Sequence, residues 1–239
     1  MVYATSDIHG YPLEQFQELL KKVDFGLGDH LYVIGDVIDR NGDGGVAMLR
    51  WMMHQPNVTM IRGNHEAMML DCGFLFDMDP EKISSRNLTP EQQHALLLWH
   101  QNGAMTTMMN LTQLKANDPE EFVKLMAYVR SAPLYMELKV PMKRIVLVHG
   151  GFTGFDPQKP FDEYSQNDLV WTRPDIEEDY WNDRLVILGH TPTQYYGKKG
   201  KAFVTPTWID IDTGAGAGGS PMLLRLDDLA EFYAERQEC

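Results

Sequence analysis

Ten side chains able to bind a cation, move a proton or grip an anion stand at five places in this sequence, and all five places are built alike. They are Asp7 and His9 in VYATSDIHG; Asp36, Asp39 and Arg40 in LYVIGDVIDR; Arg62, Asn64 and His65 in VTMIRGNHE; His149 in RIVLVHGG; and His190 in LVILGHTP. Each is a β-forming apolar run that ends in Asp, His or Asn beside a glycine, where the chain turns tightly and the backbone approaches a ligand. Imidazole nitrogens mixed with carboxylate and amide oxygens, without thiolate, suit divalent Mn, Fe, Co or Zn. The ligands suffice for two ions. Two ions about 3.5–4 Å apart would hold a bridging water acidic enough to be hydroxide near neutral pH, and would clamp the oxygens of an in-line displacement at phosphorus. One carboxylate must lie between them, and Asp36 is the best placed.

Taken singly, these signals are weak. Asp7 and His9 suit an ordinary turn, Asp36, Asp39 and Arg40 a turn with a salt bridge, and His149 and His190 satisfied histidines at strand ends. Only Arg-Gly-Asn-His-Glu after a strand carries much weight alone. Five such strand ends in one order argue for one shared site.

Positioning those ends requires strands that stop together at one edge. Residues 1–64 alternate β-like runs (VYAT, LYVI, VTMI) with helical stretches (PLEQFQELLKKV, GGVAMLRWMMHQ), a pattern of layered α/β structure. From Glu66 to about Ala132 the β-like runs vanish and helical pieces follow, with Thr89-Pro90 and Asp118-Pro119 as N-cap and first-turn signals. Strands return at YMELKV, RIVLVH, LVIL, FVT, WIDI and MLLRL. The expectation is one domain over 1–239 with a helical insertion at about 66–132. Seven methionines in that insertion (68, 69, 78, 105, 108, 109 and 126) are expected to fill a core beneath a helical cap. The run IDIDTGAGAGGS lacks the Lys and Ser/Thr of a P-loop and is expected to be a glycine-rich turn between strands. LDDLAEFYAERQEC, with acidic and apolar positions at helical spacing, is expected to close the chain as an amphipathic helix. His30, His54, His94 and His100 lie outside the pattern and receive no chemistry.

Thirty-four acidic residues against 21 basic give a net charge of −13, which opposes counterion-driven binding to a nucleic acid backbone. No apolar run approaches the roughly 20 residues that span a bilayer, and a strand-like VYAT directly after Met1 leaves no room for a signal peptide. Two cysteines, Cys72 and Cys239, make no disulfide framework. The expected location is the cytoplasm, where the NVT, NLT and NLT sequons at 57, 87 and 110 mean nothing. No nucleic acid or membrane partner is expected.

The motifs SDIHG, GDVIDR, GNHE, HGG and GHT, spanning residues 6–191, resemble those of the metal-dependent phosphoprotein phosphatases within the calcineurin-like metallophosphoesterases, in the same order. The resemblance implies a four-layer αββα sandwich with mixed sheets. It implies two divalent ions, manganese first, with iron or zinc as alternatives. One would be held by Asp7, His9 and Asp36, the other by Asp36, Asn64, His149 and His190. His65 would protonate the leaving oxygen with Asp39 orienting it. Arg40 and Arg62 would grip phosphoryl oxygens, joined by Arg173 in LVWTRP, and Glu66 would hold its loop together. Ser6 departs from the usual glycine, which bears on metal affinity. Pro192, where other metallophosphoesterases read G-H-x-H, and Glu66, where they carry G-N-H-D, point to the phosphoprotein phosphatase branch.

The implied activity is a serine/threonine protein phosphatase acting on a phosphorylated protein or a small phosphoester. The alternatives are a symmetrical bis(5'-nucleosyl)-tetraphosphatase and a catalytically silent binding protein, the latter disfavoured by a complete Asp39, Arg40 and His65.

Overall fold

The computed structural model describes residues 1–78, 87–141 and 143–234. Strand β1 (Val2–Thr5) is followed by helix α1 (Leu13–Lys21), β2 (His30–Ile34), α2 (Val46–Met53) and β3 (Val58–Ile61). Five helices come next: α3 (Asn64–Asp71), α4 (Phe74–Asp77), α5 (Pro90–Gln101), α6 (Met105–Asn117) and α7 (Pro119–Ser131). The remainder is β4 (Tyr135–Lys139), β5 (Arg144–Val148), the short α8 (Gln166–Val170), β6 (Arg184–Leu188), β7 (Phe203–Val204), β8 (Trp208–Asp210), β9 (Met222–Arg225) and β10 (Ala230–Tyr233).

Two five-stranded sheets result, ordered β10-β9-β1-β2-β3 and β4-β5-β6-β8-β7. Strands β1, β2 and β3 run parallel, as do β5, β6 and β8, and antiparallel strands close the edges. The period-two pattern is buried on both faces. On β2, Ile34 enters the layer between the sheets while Leu31 and Val33 face the helices. On β6, Leu185 and Ile187 enter that same inner layer, and Val186 and Leu188 face outward. Ala4, Ile61, Ile145, Leu147, Ile209 and Leu224 complete the inner layer from both sheets. This is the metallophosphoesterase sandwich expected from the sequence.

The two outer layers differ. Helices cover the first sheet, burying Phe16, Leu49, Met69, Leu111, Leu125 and Val129. Their starts are well specified. Thr89 Oγ1 accepts from the Gln92 amide at 3.3 Å, Asp118 Oδ1 accepts from the Glu121 amide at 3.0 Å, and each is followed by proline at the first helical position. Among the described residues, the outer face of the second sheet carries only α8, short 3₁₀ turns and an aromatic cluster around Phe152, Tyr164, Tyr180, Trp181 and Trp208.

Two local expectations change. Met68, Met69 and Met126 are core residues, but Met105 and Met109 are 51% and 64% exposed, so the methionines do not act as one filling. The C-terminal stretch, as far as it is described, is no helix but a hairpin. Arg225 holds Asp228 through two bonds of 2.8 and 2.7 Å, Leu229 turns at φ 62°, and β10 pairs with β9. Phe232 and Tyr233 pack on opposite sides of the sheet, a period of two that pairing with β9 satisfies and an isolated helix does not. Cys239 lies outside the described residues. Among the described residues no helix is long and apolar enough to cross a membrane.

Candidate metal centre and active site

All six parallel strands end at one edge, and the predicted residues follow them: Asp7 and His9 after β1, Asp36 and Asp39 after β2, Asn64 and His65 after β3, His149 after β5 and His190 after β6. Of the eight non-glycine residues with positive φ among the described residues, six are here, namely Asp7 (53°), His9 (44°), Asp36 (52°), Asp39 (75°), Arg40 (71°) and His190 (68°). Each such conformation costs of order 1 kcal/mol or more and persists only where its surroundings enforce it. The enforcement is visible in backbone contacts between strand ends: the amides of Asp7, His9 and Gly10 donate to the carbonyls of Gly35, Asp36 and Val37 at 3.2, 2.9 and 2.9 Å.

Glycines make room for the functional groups. A Cβ on Gly35 would lie 2.7 Å from His149 Nδ1, and one on Gly63 would lie 2.2 Å from Asp36 Oδ1. On Gly189 it would meet Ser6 Oγ at 2.0 Å and Asp7 Oδ2 at 2.2 Å. Glu66, fully buried, ties the second and third loops together. Its carboxylate accepts from the amides of Asp36, Gly63 and Val37 at 2.9, 3.0 and 2.8 Å.

Asp36 lies at the centre. Its Oδ2 is 3.6 Å from His9 Nε2 and 3.7 Å from His65 Nε2, while its Oδ1 is 3.3 Å from His149 Nε2. Ligand atoms of His9, Asp36 and His65 lie within 4.8 Å of one another, as do those of Asp36, His149 and His190. Asp36 belongs to both groups. Asp7 Oδ1 approaches His9 Nε2 at 3.7 Å, and its Oδ2 takes the His190 amide at 2.9 Å and a short bond from Ser6 Oγ. Asn64 Oδ1 stands 3.0 Å from His149 Nε2.

This donor set fits divalent cations. His9 Nδ1 lies 2.9 Å from the Ile38 carbonyl and His149 Nδ1 lies 2.8 Å from that of Ile34, so each ring donates from Nδ1 and turns Nε2 inward. His190 Nε2 is buried with no hydrogen-bond partner among the described residues. Burial pushes His9 down to about 3 and His190 to about 2, which favours the neutral form that a cation requires of an imidazole. Burial acts on His149 the same way, but Asp36 and Asp7 outweigh it and push His149 up to about 10. Burial likewise opposes ionisation of Asp36, yet His149, His65 and His9 hold it well below the usual carboxylate range. His149 Nε2 thus faces oxygens of Asp36 and Asn64, an arrangement in which a cation can replace a proton.

Beside this cluster, His65 Nδ1 bonds Asp39 Oδ2 at 2.6 Å. Burial lowers the His65 pKa, but Asp36 and the Asp39 hydrogen bond reverse this and raise it above its ordinary value. Arg40 Nη2 lies 3.1 Å from His65 Nε2. Arg173 is exposed near His190 and bears on its charge. Arg62 is differently engaged: Nη2 donates to the carbonyls of Arg130 and Ala132 at 2.6 and 3.1 Å, and Nη1 donates to Gln166 Oε1 at 3.0 Å.

Several contributors escape sequence reasoning. Trp99 Nε1 donates to Asp39 Oδ2 at 2.8 Å, and Thr107 Oγ1 donates to Asp39 Oδ1 at 2.5 Å while accepting from the Asp39 amide at 3.0 Å. The Arg40 amide donates to the Gly103 carbonyl at 3.1 Å. These residues sit in or between α5 and α6, and nothing in their helical context signals the role. Asp210 and Asp212, buried behind Asp7, did carry a signal, since WIDID has the same strand-end form. Burial raises both well above the usual range, and Asp7 adds to the effect.

Comparison with known proteins gives a consistent family. A full-length relative, "Serine/threonine-protein phosphatase 1" of Salmonella typhimurium, is 28% identical over 94% of this chain and 91% of its own. "Bis(5'-nucleosyl)-tetraphosphatase, symmetrical" of Chromobacterium violaceum is 42% identical over 71 residues, which cover 29% of this chain and only 25% of that protein. A solved structure described as a putative diadenosine tetraphosphatase superposes with a TM-score of 0.62 at 17% identity, over 97% of this chain and 91% of that one, and so shares the fold. Residues 1–212 match the sequence profile described as Metallophos, Calcineurin-like phosphoesterase. That match takes in every strand end of the cluster, and on it the chain belongs to the calcineurin-like phosphoesterase family of hydrolases.

Proposed function

We propose that the chain is a metal-dependent serine/threonine protein phosphatase, with the His65–Asp39 pair beside the bridging Asp36 as the observation that carries the reading. Asp7, His9 and Asp36 would hold one divalent cation, manganese first, and Asp36, Asn64, His149 and His190 the other. When bound, the two cations supply charge neutralisation at the phosphoryl oxygens and acidify the attacking water.

The chain's own residues do the rest. Arg40 is exposed and donates toward His65 Nε2; a phosphoryl group would draw that guanidinium onto its own oxygens, with Arg173 on the His190 side. Release of Nε2 from Arg40 lets His65 carry a proton there, and Asp39 fixes the ring by holding Nδ1–H. His65 then passes the Nε2 proton to the serine or threonine oxygen as the P–O bond breaks, so the alcohol leaves neutral. Arg62 would reach the phosphoryl group by giving up its bonds to the Arg130 and Ala132 carbonyls at the C-terminal end of α7. The helices over residues 66–132 would form a cap that shapes substrate choice.

The reading that competes is symmetrical dinucleoside tetraphosphate hydrolysis, favoured by the 42% identity to a tetraphosphatase over 71 residues. The test is manganese-loaded protein on a phosphoserine peptide and on diadenosine tetraphosphate in parallel, each with and without chelator. Chelator-sensitive phosphate release from the peptide without ADP formation is expected. Rapid ADP formation with an inert peptide would replace the proposal by the tetraphosphatase.

A further inference from the structure

A cavity of about 740 Å³ opens behind the catalytic loops, on the far side of the glycine-rich turn that follows β8. The turn has two faces. Gly216 abuts the site, where a Cβ would lie 2.5 Å from His9 Cδ2 and 2.6 Å from Arg40 Nη1. Gly214, Gly218 and Gly219 line the cavity instead. Asn41 Nδ2 stitches the wall together, donating to the carbonyls of His9 and Ala215 at 3.0 and 3.1 Å. Tyr11, two residues beyond His9, continues the lining.

The chemistry of this cavity departs from that of the molecule. The chain carries 34 acidic residues against 21 basic ones, yet among the described residues the lining of the cavity includes Lys199 and Lys201 and no carboxylate. Both lysines are exposed, and neither forms an ion pair among the described residues. Two unpaired ammonium groups at a concave surface attract anions, and lysine serves phosphate as a point charge. Tyr11 and Tyr233 add two aromatic side chains. The Tyr233 hydroxyl is fixed by the Ala202 amide at 3.2 Å and by Glu231. The volume falls in the range of about 300–1,000 Å³ typical of small-molecule sites and is far more than inorganic phosphate fills.

We propose that this cavity binds a nucleoside phosphate, with Lys199 and Lys201 on the phosphate oxygens and the rings of Tyr11 and Tyr233 against base and sugar. The site is separate from the centre that hydrolyses the ester. A bound nucleotide rests against the opposite face of the turn that packs on His9 and Arg40. The inference stands apart from the phosphatase reading, because nucleotide binding and aryl phosphate turnover are measured independently.

The experiment is calorimetric titration of the whole chain with ADP, adenosine and inorganic phosphate. It is repeated on the Lys199→Gln/Lys201→Gln double variant and on Gln194→Trp, which enlarges an exposed residue of the lining. ADP is expected to bind once per chain and to weaken about tenfold or more in both variants. Turnover of p-nitrophenyl phosphate should stay within about twofold of wild type, since none of these residues is in the hydrolytic centre. Absence of ADP binding, or equal ADP affinity in wild type and both variants, overturns the proposal. Adenosine or inorganic phosphate binding as tightly as ADP overturns it too. Failure of the wild type to hydrolyse aryl phosphate would instead refute the phosphatase reading and leave the ADP result standing.

Discussion

The candidate cation cradle and the His65–Asp39 pair proposed to move a proton meet at Asp36, yet different parts of the molecule support them. The cradle is built across both sheets: Asp36 and Asn64 come from the first, His149 and His190 from the second, and the supports are backbone carbonyls, amides and glycines at the strand ends. The His65–Asp39 pair belongs to the first sheet alone. Its carboxylate is gripped by Trp99 and Thr107 from the helical layer. On the proposed roles, the difference predicts that cation binding and proton delivery can be broken separately, one from the sheets and the other from the helices.

The largest effect should come from Asp36→Asn, which removes the carboxylate shared by both ligand groups. Metal content should fall, and turnover with it by about 10³-fold or more. Retention of full metal would contradict the bridging role. His65→Asn removes an acid and should lower turnover by roughly 10²-fold. Asp39→Asn sharpens the comparison through pH. Activity that needs protonated His65 is present below its pKa and lost as pH rises through it. Asp39 raises that pKa, so its loss should move the alkaline limb of kcat to lower pH, and an unmoved limb would assign the limb to another group. Smaller again, Trp99→Phe or Thr107→Val should cost up to about tenfold in kcat, because each removes one hydrogen bond to the Asp39 carboxylate, Thr107→Val the one to its amide as well, and neither removes a ligand. Metal should stay at wild-type content. If it drops in these variants, the helices support the cradle as well.

The same division explains what was legible in the sequence. Asp7, Asp36, Asn64, His149 and His190 could be found because each follows a buried strand with a glycine within three residues, a pattern written locally, although the glycines that leave space for Asp7, Asp36 and His149 are Gly189, Gly63 and Gly35 of other strand ends. Trp99 and Thr107 could not, because they reach Asp39 across 60 and 68 residues of chain from ordinary helical positions. Asp212 was missed for a different reason, since the glycines after it drew attention to the turn and away from the strand end. The closing hairpin was misread because acidic and apolar residues spaced for a helix also fit a strand, and only the free edge of β9 decides between them. Arg62 shows the limit of carrying a motif over by type: its position was legible, but not that carbonyls at the C-terminal end of α7 would engage its guanidinium.

The central claim is that the two supports are separable, and metal stoichiometry beside turnover in purified His65→Asn tests it most directly, with Asp36→Asn as the reference for metal loss. The account predicts wild-type metal content in His65→Asn with turnover lowered by roughly 10²-fold. Metal content that falls in step with activity would contradict it and make His65 a ligand of the cation shared by His9 and Asp36.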